Sequence, residues 1–396
     1  MGISTARSTI KIEDHKKLYK KGNCGLELLC GSQWFEYLRR LFSSALVCQR
    51  FVCLRFLAAR QFRIRLQTPV SCPSRRHLWQ NVARSGSAFK EEKLAKVLVI
   101  GMNPAWQITL EFQRFQWGQA NCAAASHEFV AGKGQNVAKV LSRFGHETWL
   151  LQVIGGAYGR RVEEKLRREG VNLLNVRVAA ESRVCTTIID KASGEVTELV
   201  EPFQVGPEEN AMQRALELIP VTPGSFDAVI HCGTVPAGMN PSLYLEVQRR
   251  VNPVFSVLDA FREIPRELLR TVSCLRINLD ELEELEKLDP GWECQLDRVP
   301  AILLTDGPRA ARLRVVEDGK MKEYHFHLPQ LENLKNPIGA GDTVTASVAH
   351  FFLSGMSLPE AFRQALAVGS ASCLTLVPGE YRDEDRERIL EEIQAN

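Results

Sequence analysis

The segment Asn336-Pro337-Ile338-Gly339-Ala340-Gly341-Asp342-Thr343-Val344-Thr345-Ala346-Ser347 carries the sharpest chemical signal in the chain. Pro337 disfavours helix just before it, while Gly339 and Gly341 permit a tight turn with outward backbone N–H groups, so the spacing predicts a helix starting near Gly341 or Asp342. A helix N-terminus attracts negative charge, and glycines let a phosphate approach the backbone without a Cβ in the way. Gly339, Ala340 and Gly341 are therefore candidate anion-hole residues. Asp342, at the mouth of that hole, is placed to accept the proton of an attacking hydroxyl. Taken alone, the same pattern is also that of an ordinary helix cap on a glycine turn.

A second glycine cluster, Ala131-Gly132-Lys133-Gly134-Gln135-Asn136-Val137-Ala138, opens another amphipathic helix. It is not a P-loop, because Gly134 follows Lys133 where Ser or Thr belongs, and His127 stands where the first glycine would be. Neither this stretch nor Gly155-Gly156-Ala157-Tyr158-Gly159 reads G-x-G-x-x-G, which argues against a dinucleotide dehydrogenase. Small residues that let a polyhydroxylated ligand press on the backbone, with Asn136 as a hydrogen-bond partner, are a use the cluster supports.

Positioning these turns requires strands ahead of helices. Lys96 to Ile100, Trp149 to Val153, Ala228 to Ile230, Val254 to Leu258 and Ala301 to Leu304 are apolar runs of strand length. Amphipathic stretches lie among them at Asn136–Phe144, Gly159–Glu169, Glu208–Leu218, Pro241–Val251, Asp280–Leu288 and Asp342–Ser354. The alternation predicts an α/β fold, a mostly parallel central sheet flanked by helices on both faces. Cys185 to Asp190 and Glu195 to Val200, joined by a turn at Ala192-Ser193-Gly194, read as a β-hairpin, and Trp106 to Gln119 reads as strand. Together, near 106–119 and 185–200, they make a small β-sheet, either a lid over a substrate or an edge elaboration.

Charge divides the chain. Residues 1–90 hold 17 Lys and Arg against 4 Asp and Glu, and the rest hold 33 against 43, so a basic extension precedes an acidic body from about residue 91 to 396. The extension shows no sustained period and reads as a disordered basic tail, a stretch outside the functional protein, or a targeting peptide; its acids and early lysines fit the last poorly. The acidic body gives no reason to expect nucleic acid. The most apolar stretch, Phe42 to Ala59, is interrupted by Arg50 and Arg55, which argues against a membrane span. Among eleven cysteines no C-x-x-C occurs, so reduced thiols in a cytoplasmic setting are expected.

From about residue 95 to 390 the chain resembles the ribokinase-like carbohydrate kinases, in the phosphofructokinase B branch that includes 1-phosphofructokinase and tagatose-6-phosphate kinase. Four features appear in family order: Asn103-Pro104-Ala105, Gly132-Lys133-Gly134-x-Asn136-Val137-Ala138, Asn278-x-x-Glu281, and Gly339-Ala340-Gly341-Asp342. The resemblance implies Asp342 as catalytic base and Gly339, Ala340 and Gly341 as the hole for the transferred phosphate of ATP. It implies Asn278 beside the nucleotide phosphates and Glu281 organising Mg2+ through water, with Thr305 and Gly307 meeting the nucleotide. Gly132, Lys133, Gly134, Asn136 and Arg183 fall to the sugar side, Arg183 gripping a phosphate that the acceptor already carries. A homodimer joined through the lid is a further expectation.

Departures concentrate at that sugar end. The family's N-P-A-x-D aspartate, which the resemblance gives the sugar hydroxyls, is Gln107, a substrate-binding candidate that can still donate and accept hydrogen bonds; no lysine stands near Gly118-Gln119-Ala120, and the usual Lys-Pro-Asn is Arg276-Ile277-Asn278. The expectation is thus an ATP-dependent kinase, first of fructose 1-phosphate and then of tagatose 6-phosphate. The alternatives are a kinase of an unphosphorylated sugar or nucleoside, or a non-catalytic binder of sugar phosphates.

Overall fold

The computed structural model describes residues 94–220, 224–260, 262–288, 296 and 298–396. The basic extension expected over residues 1–90 lies outside them. In chain order the first half comprises β1 (Lys96–Ile100), β2 (Ala105–Phe112), β3 (Ala125–Ala131), α1 (Lys133–Arg143), β4 (Glu147–Gly155), α2 (Gly156–Arg168), β5 (Asn172–Val178), β6 (Val184–Asp190) and β7 (Val196–Val200). There follow α3 (Ala211–Leu218), β8 (Ala228–Cys232), α4 (Leu243–Val251), β9 (Phe255–Asp259), β10 (Cys274–Asn278), α5 (Leu279–Leu288) and β11 (Ala301–Asp306). The C-terminal part adds β12 (Ala310–Glu317), β13 (Lys320–His327), α6 (Ala340–Leu353), α7 (Leu358–Ser372), α8 (Asp383–Glu392) and β14 (Gln394–Ala395).

Ten strands form one sheet in the order β14-β13-β12-β11-β10-β9-β8-β1-β4-β5. The seven from β11 to β5 are parallel, and β12, β13 and β14 extend it antiparallel. The ribokinase-like layering expected from the resemblance is therefore the one observed. Strand β1 shows why both faces are covered: Val97 and Val99 enter a core shared with α1, α2, α6, α7 and α8, while Leu98 and Ile100 enter another shared with α3, α4 and α5. A parallel strand buried on both faces reads as continuous apolar sequence, as β1 does. Among the described residues no helix is long and apolar enough to cross a membrane.

The chain leaves β1 toward β4 on one side and returns through β8 to β11 on the other, so β1 and β8 flank the point where strand order reverses. The carboxyl ends of strands at such a point leave a crevice that helices do not fill.

The expected lid is a separate sheet in the order β3-β2-β6-β7. The hairpin β6–β7 is antiparallel as expected, whereas β2 and β6 pair in parallel. The strand expected over Trp106 to Gln119 ends at Phe112, where Phe115 and Trp117 leave the ladder, Phe115 stacking edge to face on Phe112 and Trp117 on Phe115. Its other partner, β3, was not anticipated.

One close approach sets the first turn of α1. A Cβ on Gly134 would stand 2.3 Å from the Gly101 Cα, so the helix start lies directly against the end of β1. Gly134→Ala is therefore expected to lose about 1–3 kcal/mol of stability, read as a lowered urea midpoint at unchanged slope. An unaltered midpoint would mean that the two backbones separate freely.

Candidate functional site

Residues at the carboxyl ends of the central strands and the first turn of α1 meet Arg183, just before β6, in a cavity of about 160 Å³, lined by Gly101, Asn103, Lys133, Gly134, Gln135, Arg183, Cys232, Gly233, Thr234 and Ala260. Gly132, at φ 121°, turns the chain from β3 into α1, and Lys133 then reaches into the crevice. Gln135 fastens this turn, donating from Nε2 to the Gly101 carbonyl at 2.7 Å and to Gln152 Oε1 at 3.0 Å.

Lys133 is the centre of a charge cluster. Its Nζ donates to Asp259 Oδ1 at 2.8 Å and to Glu281 Oε1 at 2.6 Å. Asp259 ends β9 with 0% exposure, and its Oδ2 accepts from the Thr345 hydroxyl of α6 at 2.5 Å. Arg276, 6% exposed on β10, places Nη1 3.6 Å from both Asp259 and Glu281 and donates from Nη2 to Thr305 Oγ1 at 3.1 Å. Desolvation opposes the charge on Lys133, but Asp259 and Glu281 outweigh it and hold its titration above the usual lysine range. Desolvation also opposes the charge on Asp259, where Lys133 and Arg276 prevail and lower its pKa.

Asn278 and Glu281 form a reciprocal cap at the start of α5. The Asn278 N–H donates to Glu281 Oε2 at 3.1 Å, and the Glu281 N–H donates to Asn278 Oδ1 at 2.7 Å. Both carboxylate oxygens of Glu281 are thereby engaged. The arrangement suits a divalent ion held through water more than one ligated directly. Among the described residues no cluster of three or more His, Cys, Asp or Glu is set to ligate a metal.

The glycine turn before α6 has the form the sequence implied. The helix starts at Ala340, one residue before the expected range, with Gly339 at φ 82° as its N-cap. A Cβ on Gly341 would meet the Arg276 guanidinium at 2.3–2.8 Å, so that cation lies against the anion-hole backbone. Asp342 occupies the first turn and accepts from Asn136 Nδ2 at 2.8 Å. It is 7% exposed and does not line the cavity, so it stands deeper than a residue at the mouth of the glycine turn. Desolvation raises its pKa first, and the Asp259 charge adds to this; Lys133, the Asn136 hydrogen bond and Arg276 offset part, leaving it at about 6.

The structure thus brings Lys133, Asn136, Arg276, Asn278, Glu281, Thr305, Asp342 and the glycine turn into one neighbourhood. Gly307 lies just past β11 in an open turn at φ 52°. Arg183 lines the cavity and donates to the carbonyls of Asn103 at 3.0 Å and Pro104 at 3.4 Å. Gln107 does not reach the cavity. Buried in the lid, it donates from Nε2 to Thr187 Oγ1 on β6 at 2.8 Å. Sequence reasoning missed Asp259, Thr345 and the contact of Arg276 with Gly341. A carboxylate ending the apolar strand Phe255-Ser256-Val257-Leu258-Asp259 was the available signal for the first. Three buried polar atoms without partners, Asn103 Oδ1, Asn136 Oδ1 and Arg276 Nε, fall in this neighbourhood, as befits groups that a ligand would satisfy.

The mostly parallel sheet flanked by helices on both faces, with a smaller separate sheet beside it, is the ribokinase-like fold. Residues 97–380 match the pfkB family carbohydrate kinases, and the chain belongs to that family of phosphotransferases acting on sugar hydroxyl groups. It is 22% identical over 317 residues to a tagatose-6-phosphate kinase of Staphylococcus epidermidis, covering 76% of this chain and 99% of that one. A 1-phosphofructokinase of Borreliella burgdorferi is 25% identical over 297 residues, covering 72% and 94%. The crystal structure of phosphofructokinase-2 from Escherichia coli in complex with potassium superposes with a TM-score of 0.63 at 18% identity, covering 76% of this chain and 99% of that one.

The crowding at Gly341 makes a testable prediction. Gly341→Ala is expected to displace the Arg276 side chain, lowering turnover by roughly tenfold or more and, because that buried guanidinium is packed against Asp259 and Glu281, lowering the thermal midpoint with it. Full activity in that variant would show that the guanidinium has no part in transfer.

Proposed function

We propose that this kinase transfers the γ-phosphoryl group of ATP to a hydroxyl of a ketose phosphate, fructose 1-phosphate before tagatose 6-phosphate. The observation that carries the reading is Arg183, a guanidinium in the cavity wall positioned by two carbonyls, with no carboxylate partner among the described residues. Such a fork suits a phosphate already on the acceptor. The relatives named as kinases of sugar phosphates support the same class.

In the proposed reaction the acceptor O–H bond breaks as its oxygen bonds the γ-phosphorus. The proton passes to the Asp342 carboxylate, and the bond to the bridging oxygen breaks with its electron pair remaining on ADP. Backbone N–H groups at Gly339, Ala340 and Gly341, with Arg276 against them, receive the charge that gathers on the phosphoryl oxygens. Asn136 holds Asp342 in place. Asn278 and Glu281 would organise Mg2+ through water, and the ion would neutralise charge on the nucleotide phosphates. Thr305 and Gly307 border the nucleotide, and Lys133 and Gly134 in the cavity wall, with Gly132 turning the chain just before them, meet the acceptor.

Gln107 favours a second reading, a kinase of an unphosphorylated sugar or nucleoside, because its amide is committed to Thr187 and offers no carboxylate to a sugar hydroxyl. An ATP-consumption screen with Mg2+ against fructose 1-phosphate, fructose 6-phosphate, tagatose 6-phosphate, free hexoses and nucleosides separates the two. Arg183→Ala is expected to raise KM for the phosphorylated acceptor roughly tenfold to a hundredfold at little cost in kcat. Unchanged KM together with turnover of a free sugar would favour the second reading.

Exposed Val196, Leu199 and Val200 on the edge strand β7 support pairing of two copies through the lid. Cys122, Cys185, Cys232, Cys274 and Cys373 are free thiols, which supports a cytoplasmic setting.

Asp342→Asn is expected to lower kcat roughly 10²–10⁴-fold while ATP affinity is kept. A base must be ionised to act, so in the unaltered enzyme kcat/KM is expected to fall as pH drops through about 6. Equal loss of ATP binding in Asp342→Asn would make that residue a structural cap.

A further inference from the structure

The charge cluster contains three carboxylates and two cations, and they are not equivalent. Asp259 receives Lys133 at 2.8 Å, Arg276 at 3.6 Å and the Thr345 hydroxyl at 2.5 Å, with no exposed surface. Glu281 receives Lys133 at 2.6 Å, Arg276 at 3.6 Å and a backbone N–H. Asp342 is the one left with a neutral partner, the Asn136 amide. Thr345 and Asp342 are one helical turn apart on α6, so the hydroxyl that clamps Asp259 lies on the same helix face as Asp342.

Two carboxylates that share a desolvated site do not ionise with equal ease. The one given cations stays charged, and the other becomes the group that gains and loses a proton. Here the division is built from elements distant in sequence: β9 supplies Asp259, β10 supplies Arg276, α1 supplies Lys133 and Asn136, and α6 supplies Thr345 and Asp342.

We propose that Asp259 is a positioning residue for phosphoryl transfer: a permanently ionised carboxylate that holds Lys133 to itself and Glu281, leaving Asp342 as the group that takes the acceptor's proton. The proposal rests on the reading of Asp342 as the base. Asp259 touches neither nucleotide nor acceptor in this role and acts through Lys133 and through its charge. The titratable and charged groups bearing on Asp342 are Lys133 and the more deeply placed Lys139 from α1, Asp259 from β9, Arg276 from β10 and Cys232 from β8. Of these, Lys139 donates to the Val130 carbonyl, and burial holds the Cys232 thiol protonated. Asp259 is thus the one negative neighbour among them.

The isosteric variant Asp259→Asn tests this in the full-length chain. Removing the negative charge and releasing Lys133 both favour ionised Asp342. The acidic limb of kcat/KM is therefore expected to move to lower pH, while kcat on the plateau falls because Lys133 is then held by Glu281 alone. A purely structural Asp259 would lower activity and leave the limb where it was, and that result overturns the proposal.

Should Asp259→Asn fail to fold, carboxyl 13C titration of the unaltered protein labelled at aspartate decides. The Asp342 resonance is identified by its absence from Asp342→Asn. A second aspartate, ionised from about pH 4 to 8 yet bending at the Asp342 midpoint, is the expected result, and no such resonance means that the two do not communicate. If Asp342→Asn keeps both its turnover and its acidic limb, the base assignment falls. The carboxyl titration, which needs no turnover, still determines whether Asp259 biases Asp342.

Discussion

A largely desolvated ammonium bridging two carboxylates is the constraint on which the site depends. Lys133 has 27% of its side chain exposed and is held between Asp259 and Glu281. Stripping one partner from such a group leaves a charge that water no longer compensates, at a cost of about 3–5 kcal/mol. Formation of the pair therefore requires the first turn of α1, the end of β9 and the first turn of α5 to be in register together. The glycines around Lys133 serve that requirement. Gly132 adopts a backbone conformation that side chains disfavour, and Gly134 lets the helix start meet β1.

How far this was legible in the sequence depends on whether a feature is local. The glycine turn before α6 announces itself through Pro337, Gly339 and Gly341, and its helix begins within one residue of the expected range. The apolar runs of β1, β4, β8, β9 and β11 were found because strands covered on both faces carry no alternation to misread. Strands β5 and β10 were passed over because polar residues interrupt them: Asn172 and Asn175 in one, Arg276 and Asn278 in the other. Arg276 is the instructive case. It looks like a strand break, yet it sits in the strand because Asp259, Glu281 and Thr305 surround it. The antiparallel addition β12–β13 and the helices α7 and α8 lie apart from the chemistry and offered no motif.

The two ends of the site rest on different physics. Around Lys133, opposite charges are packed into a largely dry layer, and each charge fixes the ones beside it. Toward Arg183 and the small sheet, contacts with neutral partners predominate: Arg183 on carbonyls, Gln107 on Thr187, and Asn103 Nδ2 donating to Thr234 Oγ1 at 3.3 Å. A cluster of interlocked charges tolerates little substitution, since each loss strands another charge. Neutral hydrogen bonds, each contributing about 1 kcal/mol, are exchanged more easily. The departure at Gln107 falls where this asymmetry permits, whereas Arg276, in place of the family's usual lysine, lies within the charge cluster and keeps the positive charge there. An aspartate gives way to Gln107 in the lid, while Asp342, Glu281 and the glycine turn keep the family's residues.

Gln107 also shows what such an exchange does to recognition. Its Nε2 is held by Thr187 across the β2–β6 pairing, so the amide joins the two central strands of the lid rather than reaching the cavity. A carboxylate at that position would face the Thr187 hydroxyl as an acceptor and would draw charged or polar partners toward itself, whereas the amide closes a neutral contact within the sheet. Cohesion of the lid is thereby separated from contact with the acceptor. The cavity instead meets groups at the reversal of strand order, where Arg183 is anchored by the segment that follows β1. That segment leads directly into β2, so the Arg183 guanidinium and the small sheet are fixed by the same short stretch of backbone, Asn103 to Ala105.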